Sequence, residues 1–347
     1  MKQNLSALPD ALLDWYSVAA RDLPWRIGPK QRARGKRPDP YRIWLAEIML
    51  QQTTVPHGAR YFLDFTKRWP AIEDLASARD EDVMAAWAGL GYYARARNLL
   101  KCAREVAALG GFPQTAKELV KLPGIGPYTA GAVAALAFGE REAAVDGNVE
   151  RVFSRLLALD MPFKQAKAEI KQAVGALVPA DRPAEFAEGL MDLGATICTP
   201  KRPNCLICPL DRFCKARAAG QAERYPIKDK KKPKPHRKGD VFLLVDGTDI
   251  LLERRPDKGL LGGMLGLPGS EWREDQIGEM SGAPVKTNWD HRGEVRHVFT
   301  HFSLTLQVWQ GRLTSKRPKG EWRPLSDVGG LPSVFDKAFK LLADLPH

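Results

Sequence analysis

The stretch Leu122-Pro123-Gly124-Ile125-Gly126-Pro127-Tyr128 decides how this chain is read, with the small-residue run to Ala137 and the segment Val145-Asp146-Gly147-Asn148-Val149 behind it. A Gly-rich turn between two helical patterns leaves backbone N–H groups unpaired where the second helix starts, and the helix dipole favours an anion there. Such a hairpin, from Leu122 onward, can grip a phosphate. Gly124 and Gly126 allow the positive φ and the close backbone approach that a Cβ would obstruct. The helix predicted from Tyr128 to Phe138 is nearly all Ala, Gly and Val on its packing face, and Gly139 ends it. Asp146, followed by Gly147 and Asn148, reads by itself as an ordinary turn or N-cap. Its place directly behind the hairpin makes it a candidate for chemistry as well.

Towards the N-terminus, Thr115 and Glu118 predict a capping box leading into the hairpin. Gly89-Leu90-Gly91-Tyr92-Tyr93 breaks the helical pattern before a basic helix that opens Ala94-Arg95-Ala96-Arg97-Asn98. Tyr92 there reads either as a wedge into a base stack or as core packing. Helices are expected over about 55–69 and 77–87, the latter capped by Ser77. Asp39-Pro40 is a strong helix start, and the helix behind it carries Glu47 among Ile43, Trp44, Ile48 and Leu50. An acid in such a setting either has a hidden partner or keeps its proton near neutral pH, as a general acid does. Residues 26–37 hold six bases and no acid, which reads as a solvated loop or as a contact to a polyanion. Residues 6–20 have helical periodicity.

Towards the C-terminus, helices at roughly 148–159, 164–178 and 184–197 complete an all-α block. Cys198, Cys205, Cys208 and Cys214 follow, four thiols in one short loop with a single C-x2-C hook. Paired zinc knuckles set two such hooks well apart, so the spacing favours an iron–sulfur cluster over zinc. Cys102, on a distant helix, reads as a small core residue.

With 53 Lys+Arg against 41 Asp+Glu and a pI near 9.5, the 347-residue chain favours a polyanionic partner, and charge alone fits RNA, DNA or an anionic membrane. No apolar run is long enough to span a bilayer. The N-terminus lacks an apolar signal core, so a cytoplasmic location is expected. From Arg224 to Lys238 eight bases, one acid and three prolines predict a semi-rigid basic tether. Beyond it, a hairpin about Asp246-Gly247, one strand over Val295 to Trp309 and a final helix over Ser333 to Leu342 predict an α+β domain. The expected division is a helical domain over 1–218, a linker over 219–238 and a second domain over 239–347.

These motifs, in this order, resemble the helix-hairpin-helix DNA glycosylases related to endonuclease III. Within them, Leu23-Pro24-Trp25-Arg26, the run from Glu47 to Thr53, Gly89 to Asn98 and the C-terminal domain resemble the MutY adenine glycosylases over nearly the whole chain. The resemblance implies a multidomain fold, an all-α helix-hairpin-helix domain with one [4Fe-4S] cluster loop and a Nudix-like α+β domain that has lost its hydrolase. After Gly266 only Glu274, Asp275 and Glu279 remain of the carboxylates that such hydrolases cluster on a helix. It implies hydrolysis of adenine from duplex DNA where it is mispaired with 8-oxoguanine or guanine, by a monomer working at the bacterial nucleoid.

Glu47 then serves as acid at adenine N7 and later as base for water. Asp146 supports the oxocarbenium-like sugar as charge or transient nucleophile. Family pattern also places Tyr128 and Asn148 in the active site, Trp25, Arg26 and Glu188 around the flipped adenine, and Gln52 and Tyr92 at the gap it leaves. Phe299, Thr300 and His301 stand where the family reads 8-oxoguanine with Phe-Ser-His. Bifunctional relatives carry Lys where this chain has Tyr128, so the expectation is a monofunctional glycosylase. Rival readings are a glycosylase with lyase activity, an iron–sulfur DNA-binding redox sensor and a Nudix pyrophosphatase.

Overall fold

The structure, a computed structural model, describes residues 4–229, 233–256, 259–275, 280 and 282–342. It divides into two compact units, Met1–Gly91 with Arg95–Lys230, and Tyr92–Ala94 with Lys231–His347. Among the described residues no helix is long and apolar enough to cross a membrane.

The first unit is helical. It opens with α1 (Leu8–Ala19), α2 (Pro29–Ala33), α3 (Pro40–Leu50) and α4 (Val55–Arg68). Next come α5 (Ile72–Ser77), α6 (Asp80–Ala86), α7 (Ala94–Ala108) and α8 (Ala116–Leu119). The hairpin leads into α9 (Pro127–Val133) and a π-helical turn over Ala134–Phe138, followed by α10 (Gly147–Leu157), α11 (Phe163–Leu177), α12 (Pro183–Thr196) and α13 (Lys215–Ala218). Local chemistry sets many of these ends. The Asp39 side chain accepts from Tyr41 N at 2.9 Å, a cap worth about 1 kcal/mol. Gly139 closes the π turn in the left-handed region at φ 72°.

Two expected helix details differ. The helix expected over 77–87 starts late, as α6 at Asp80, because Ala78 is extended and separates it from α5, at whose start the Asp74 carboxylate accepts from Ala71 N. Ser77 ends α5, donating to Glu73 O, and caps nothing. The small-residue helix after the hairpin is α-helical for two turns only, then widens into the π turn, a form common beside functional sites.

Two segments near the expected linker belong to folded units. Tyr225 is buried and takes Arg155 Nε on its carbonyl, Ile227 O accepts from Phe163 N, and His236–Lys238 already run in a strand. Lys230–Lys232 lie outside the described residues.

The second unit holds β1 (His236–Asp246), β2 (Asp249–Arg254), β3 (Leu265–Gly266), β4 (Trp289–Val298), β5 (Ser303–Arg312), β6 (Glu321–Pro324) and α14 (Ser333–Phe339). The sheet order is β3-β2-β1-β5-β4, with β6 on β2, and β1 runs parallel to β5. Gly247, at φ 60°, turns β1 into β2 at the predicted place. The single strand expected over Val295 to Trp309 is instead a pair, β4 and β5, antiparallel with Val298 facing Ser303. The apolar alternation continues through the turn, so periodicity alone did not show the reversal; Phe299 N bonding back to Phe302 O makes it. Gln276–Glu279, which include the Glu279 of the weakened hydrolase motif, lie outside the described residues.

Candidate active site

Glu47 sits in the last half of α3, a helix buried on nearly every side. Burial pushes its carboxyl up to about 7, helped by the charges of Asp146 and Glu188 and opposed by the Tyr128 hydrogen bond and by Arg26. Tyr128, at the start of α9, donates its hydroxyl to Glu47 Oε2 at 3.1 Å. Burial, then the nearby Glu47 charge, holds the phenol well above its usual value, so it stays a neutral donor.

Asp146 caps α10. Its Oδ1 accepts from Asn148 N at 2.9 Å and Val149 N at 2.8 Å, and its Oδ2 accepts from Asn148 Nδ2 at 2.7 Å. Asp146 is the N-cap that its Gly147-Asn148 context predicts, and its side chain also lines a cleft. Asp146 and Glu47 line one cavity of about 690 Å³. Trp25, Arg26, Gln52, Tyr128, Asn148 and Glu188 line it too. Residues from four helices, α3, α9, α10 and α12, and from two loops thus converge on one cavity.

α12 backs this cavity. Glu188 Oε2 accepts from Tyr16 Oη at 2.7 Å and Oε1 from Arg32 Nη2 at 3.1 Å. Arg26 Nη1 reaches both oxygens of Asp192, at 2.7 and 2.8 Å, and Arg21 Nε reaches Oδ1 at 2.6 Å. Asp192, Arg21, Arg32 and Tyr16 were not anticipated. The signal was Glu188 and Asp192, two acids one turn apart and both buried, in a helix whose further acid, Glu185, sits in its first turn. Two bases also escaped notice. Lys167 lines the cavity and pairs with Glu150 at 2.8 Å, and Arg151 Nη2 donates to Asn148 Oδ1 at 2.9 Å and Gly194 O at 2.6 Å.

Gly194 lets α12 approach the first turn of α10, since a Cβ there would stand 2.6 Å from Asn148 Cβ. Arg151 Nε also donates to Cys198 O at 2.8 Å. A continuous path of contacts therefore joins the Asp146 cap to the cysteine loop.

Cys198, Cys205, Cys208 and Cys214 line one small cavity with Arg155 and Arg217. Arg155, fully buried, donates to Cys198 Sγ at 3.2 Å and to Thr199 O at 2.8 Å. Among the described residues no three His, Cys, Asp or Glu side chains are drawn together as ligands of a single metal ion.

The remaining expected residues lie elsewhere. Leu122 is 4% exposed and anchors the hairpin from inside. Gly124 has φ 74°, and a Cβ would meet Asn98 Cβ at 2.7 Å, so glycine is required there; Gly126 is extended with open space beside it and caps α9. Tyr92 is 55% exposed at φ 49° and groups with the second unit. Thr300 and His301 are exposed at the turn between β4 and β5, while Phe299 stacks on Trp272, ring centroids 5.8 Å apart.

Residues 45–179 match the family model of the HhH-GPD superfamily base excision DNA repair proteins, and residues 240–341 match that of a NUDIX domain. Among solved structures, a thermostable thymine-DNA glycosylase aligns with 61% of this chain and 96% of its own, with a TM-score of 0.53 and 30% identity. Fold and cleft together define a base-excision DNA glycosylase of the helix-hairpin-helix class, joined to a Nudix-like domain.

The human adenine DNA glycosylase is 34% identical over 407 residues, covering 97% of this chain and 74% of the relative. The adenine DNA glycosylase of Buchnera aphidicola subsp. Schizaphis graminum is 30% identical and covers 95% of this chain and 97% of its own length. The chain belongs to the adenine DNA glycosylase family.

Proposed function

We propose that this enzyme removes adenine lying opposite 8-oxoguanine or guanine in duplex DNA, by hydrolysis alone, with Glu47 and Asp146 as its two working carboxyls. The observation that carries the reading is one cavity holding an acid poised near neutrality and a carboxylate fixed by three hydrogen bonds. Adenine leaves poorly as an anion, so Glu47, protonated, donates to N7, while Asp146 offsets the positive charge growing on the sugar. Glu47, now a carboxylate, takes a proton from the incoming water. Tyr128 orients Glu47, and Asn148 holds Asp146 in place. Trp25, Arg26 and Glu188 shape the pocket for the extruded base, with Gln52 and Tyr92 at the gap in the duplex.

The hairpin at Leu122, Gly124 and Gly126 grips backbone phosphate, and Thr300 and His301, exposed on their turn, suit a polar base edge such as that of 8-oxoguanine. The absence of lyase chemistry follows from Tyr128, which has no amine. Lys167, which also lines the cavity, is engaged by Glu150. The exposed bases Lys30, Arg34, Lys36 and Arg37 suit further phosphate contacts.

The four cysteines suit a [4Fe-4S] cluster. A single zinc, bound at about 2.3 Å per thiolate, needs a tight tetrahedron of sulfurs. Four thiols around one shared cavity, with the Arg155 guanidinium beside one of them, suit an anionic cluster. When bound it would clamp the loop between α12 and α13. Iron and acid-labile sulfide in the purified protein, with a visible charge-transfer band, test this.

The function is tested with duplex carrying one adenine opposite 8-oxoguanine. Base loss appears as an alkali-labile site, absent with Glu47→Gln and Asp146→Asn. Borohydride trapping of a protein–DNA adduct would show lyase chemistry, and binding without base loss would favour a sensor.

A further inference from the structure

The basic loop between Arg26 and Asp39 uses its charges in two ways. Lys30, Arg34, Lys36 and Arg37 stay at the surface. Arg32 does not. α2 turns it inward, where its side chain is 15% exposed, its Nε donates to Ile27 O at 3.0 Å and its Nη2 donates to Glu188 Oε1 at 3.1 Å. Glu188 faces the base cleft, and Arg32 lines a second cavity of about 840 Å³ with Lys36, Arg37 and Arg182. The ion pair joins a residue of one cavity to a residue of the other.

We propose that Arg32 is a positioning residue for the base pocket: by holding Glu188 Oε1 it fixes the carboxylate at the back of the cleft, so the 26–37 loop sets how firmly an extruded adenine is held. The proposal rests on the reading of this cleft as the adenine site. Tyr16 already occupies Glu188 Oε2. Arg26 cannot replace Arg32, because its Nη1 is committed to Asp192 and its Nε stands 3.9 Å from Glu188 Oε1. Without Arg32, Oε1 loses its close donor and is free to swing within the cleft.

Arg32 also balances charge. The groups that act on Glu47 are Tyr128, which donates to it, Asp146 and Glu188, which are negative, and Arg26, which is positive. Removing the cation paired with Glu188 strengthens the negative field at Glu47 and keeps it protonated to higher pH.

The test uses the full-length protein and two duplexes, one carrying 2′-fluoro-2′-deoxyadenosine, whose fluorine slows base loss, and one carrying a stable abasic-site analogue. Both have 8-oxoguanine opposite. Arg32→Gln should weaken binding of the adenine duplex by ten- to a hundred-fold, the scale of one charge-assisted hydrogen bond, and leave the abasic duplex unchanged. It should also move the alkaline limb of the single-turnover rate to higher pH.

Equal weakening on both duplexes would make Arg32 a phosphate contact and overturn the proposal. So would wild-type binding with an unmoved limb. If Arg32→Gln does not fold, Arg32→Lys decides: a smaller loss confined to the adenine duplex supports positioning, and wild-type behaviour overturns it. Failure of the underlying reading would look different, since the wild-type protein itself would then release no adenine.

Discussion

α3 and α12 pose the same puzzle and answer it in opposite ways. Each is an apolar helix with acid buried in its middle. On α12, Glu188 and Asp192 are saturated by Tyr16 and three arginines. On α3, Glu47 meets one phenol, and burial with two acids across the cleft outweighs the opposing charge of Arg26. An acid surrounded by cations is a fixed charge that shapes a wall; an acid deprived of them carries a proton to give away. Sequence context alone does not separate the two cases, because the deciding partners come from α1, α2 and the loops, far along the chain.

The contrast can be broken most forcefully at the chemistry. Glu47→Gln and Asp146→Asn are each expected to lower the single-turnover rate of adenine release by about 10²–10⁴-fold while duplex binding persists. Loss of binding with either variant would make these acids structural.

On α12, Asp192→Ala leaves the buried Arg26 without its closest partner and takes one from Arg21, and should cost about 3–5 kcal/mol, which thermal or denaturant unfolding of the helical unit would show. Glu47→Gln should do the reverse. A carboxyl whose folded value lies near 7 adds no penalty below its unfolded value, then costs about 1.4 kcal/mol per pH unit until the folded value is passed. Stability of the wild type therefore falls as pH rises from about 4.5 towards 7, by roughly 3 kcal/mol, and the variant should be spared that fall. Parallel melting curves at pH 5 and pH 8 check it; an equal gap at both would refute the buried-acid account.

Tyr128→Phe sharpens the same point at smaller scale. The phenol lowers Glu47, so its loss raises Glu47, and the alkaline limb of the rate should move up by under about one pH unit. Smallest of all, Lys36→Gln with Arg37→Gln should reduce the salt dependence of duplex binding by about one unit of slope per lost phosphate contact. An unchanged slope would remove that loop's surface from the DNA footprint.

Much of the site was legible as individual residues. Glu47 stood out because an acid among Ile, Trp and Leu is costly, and Asp146 because it follows a Gly-rich hairpin. Arg32 was illegible. Six bases in twelve residues look alike, and only the packing of α2 against α1, which brings Arg32 to Glu188, picks one to turn inward. The β4–β5 reversal was hidden for a related reason, since its turn contains no glycine or proline and its alternation runs on through Phe299 to Phe302.

The sequence by itself determined the Gly-rich hairpin turn, the Asp146 cap, the cysteine spacing and the change from helical to strand patterning. All of these act within a few residues, through glycine φ, caps and side-chain period. The tertiary structure decided that Glu47 and Asp146 share a cleft, that among the described residues Glu188 and Asp192 are paired with arginines while Glu47 is hydrogen-bonded to a phenol, and that one base of a charged loop points inward. Those outcomes depend on burial and pairing between segments distant in the chain, which no local pattern encodes.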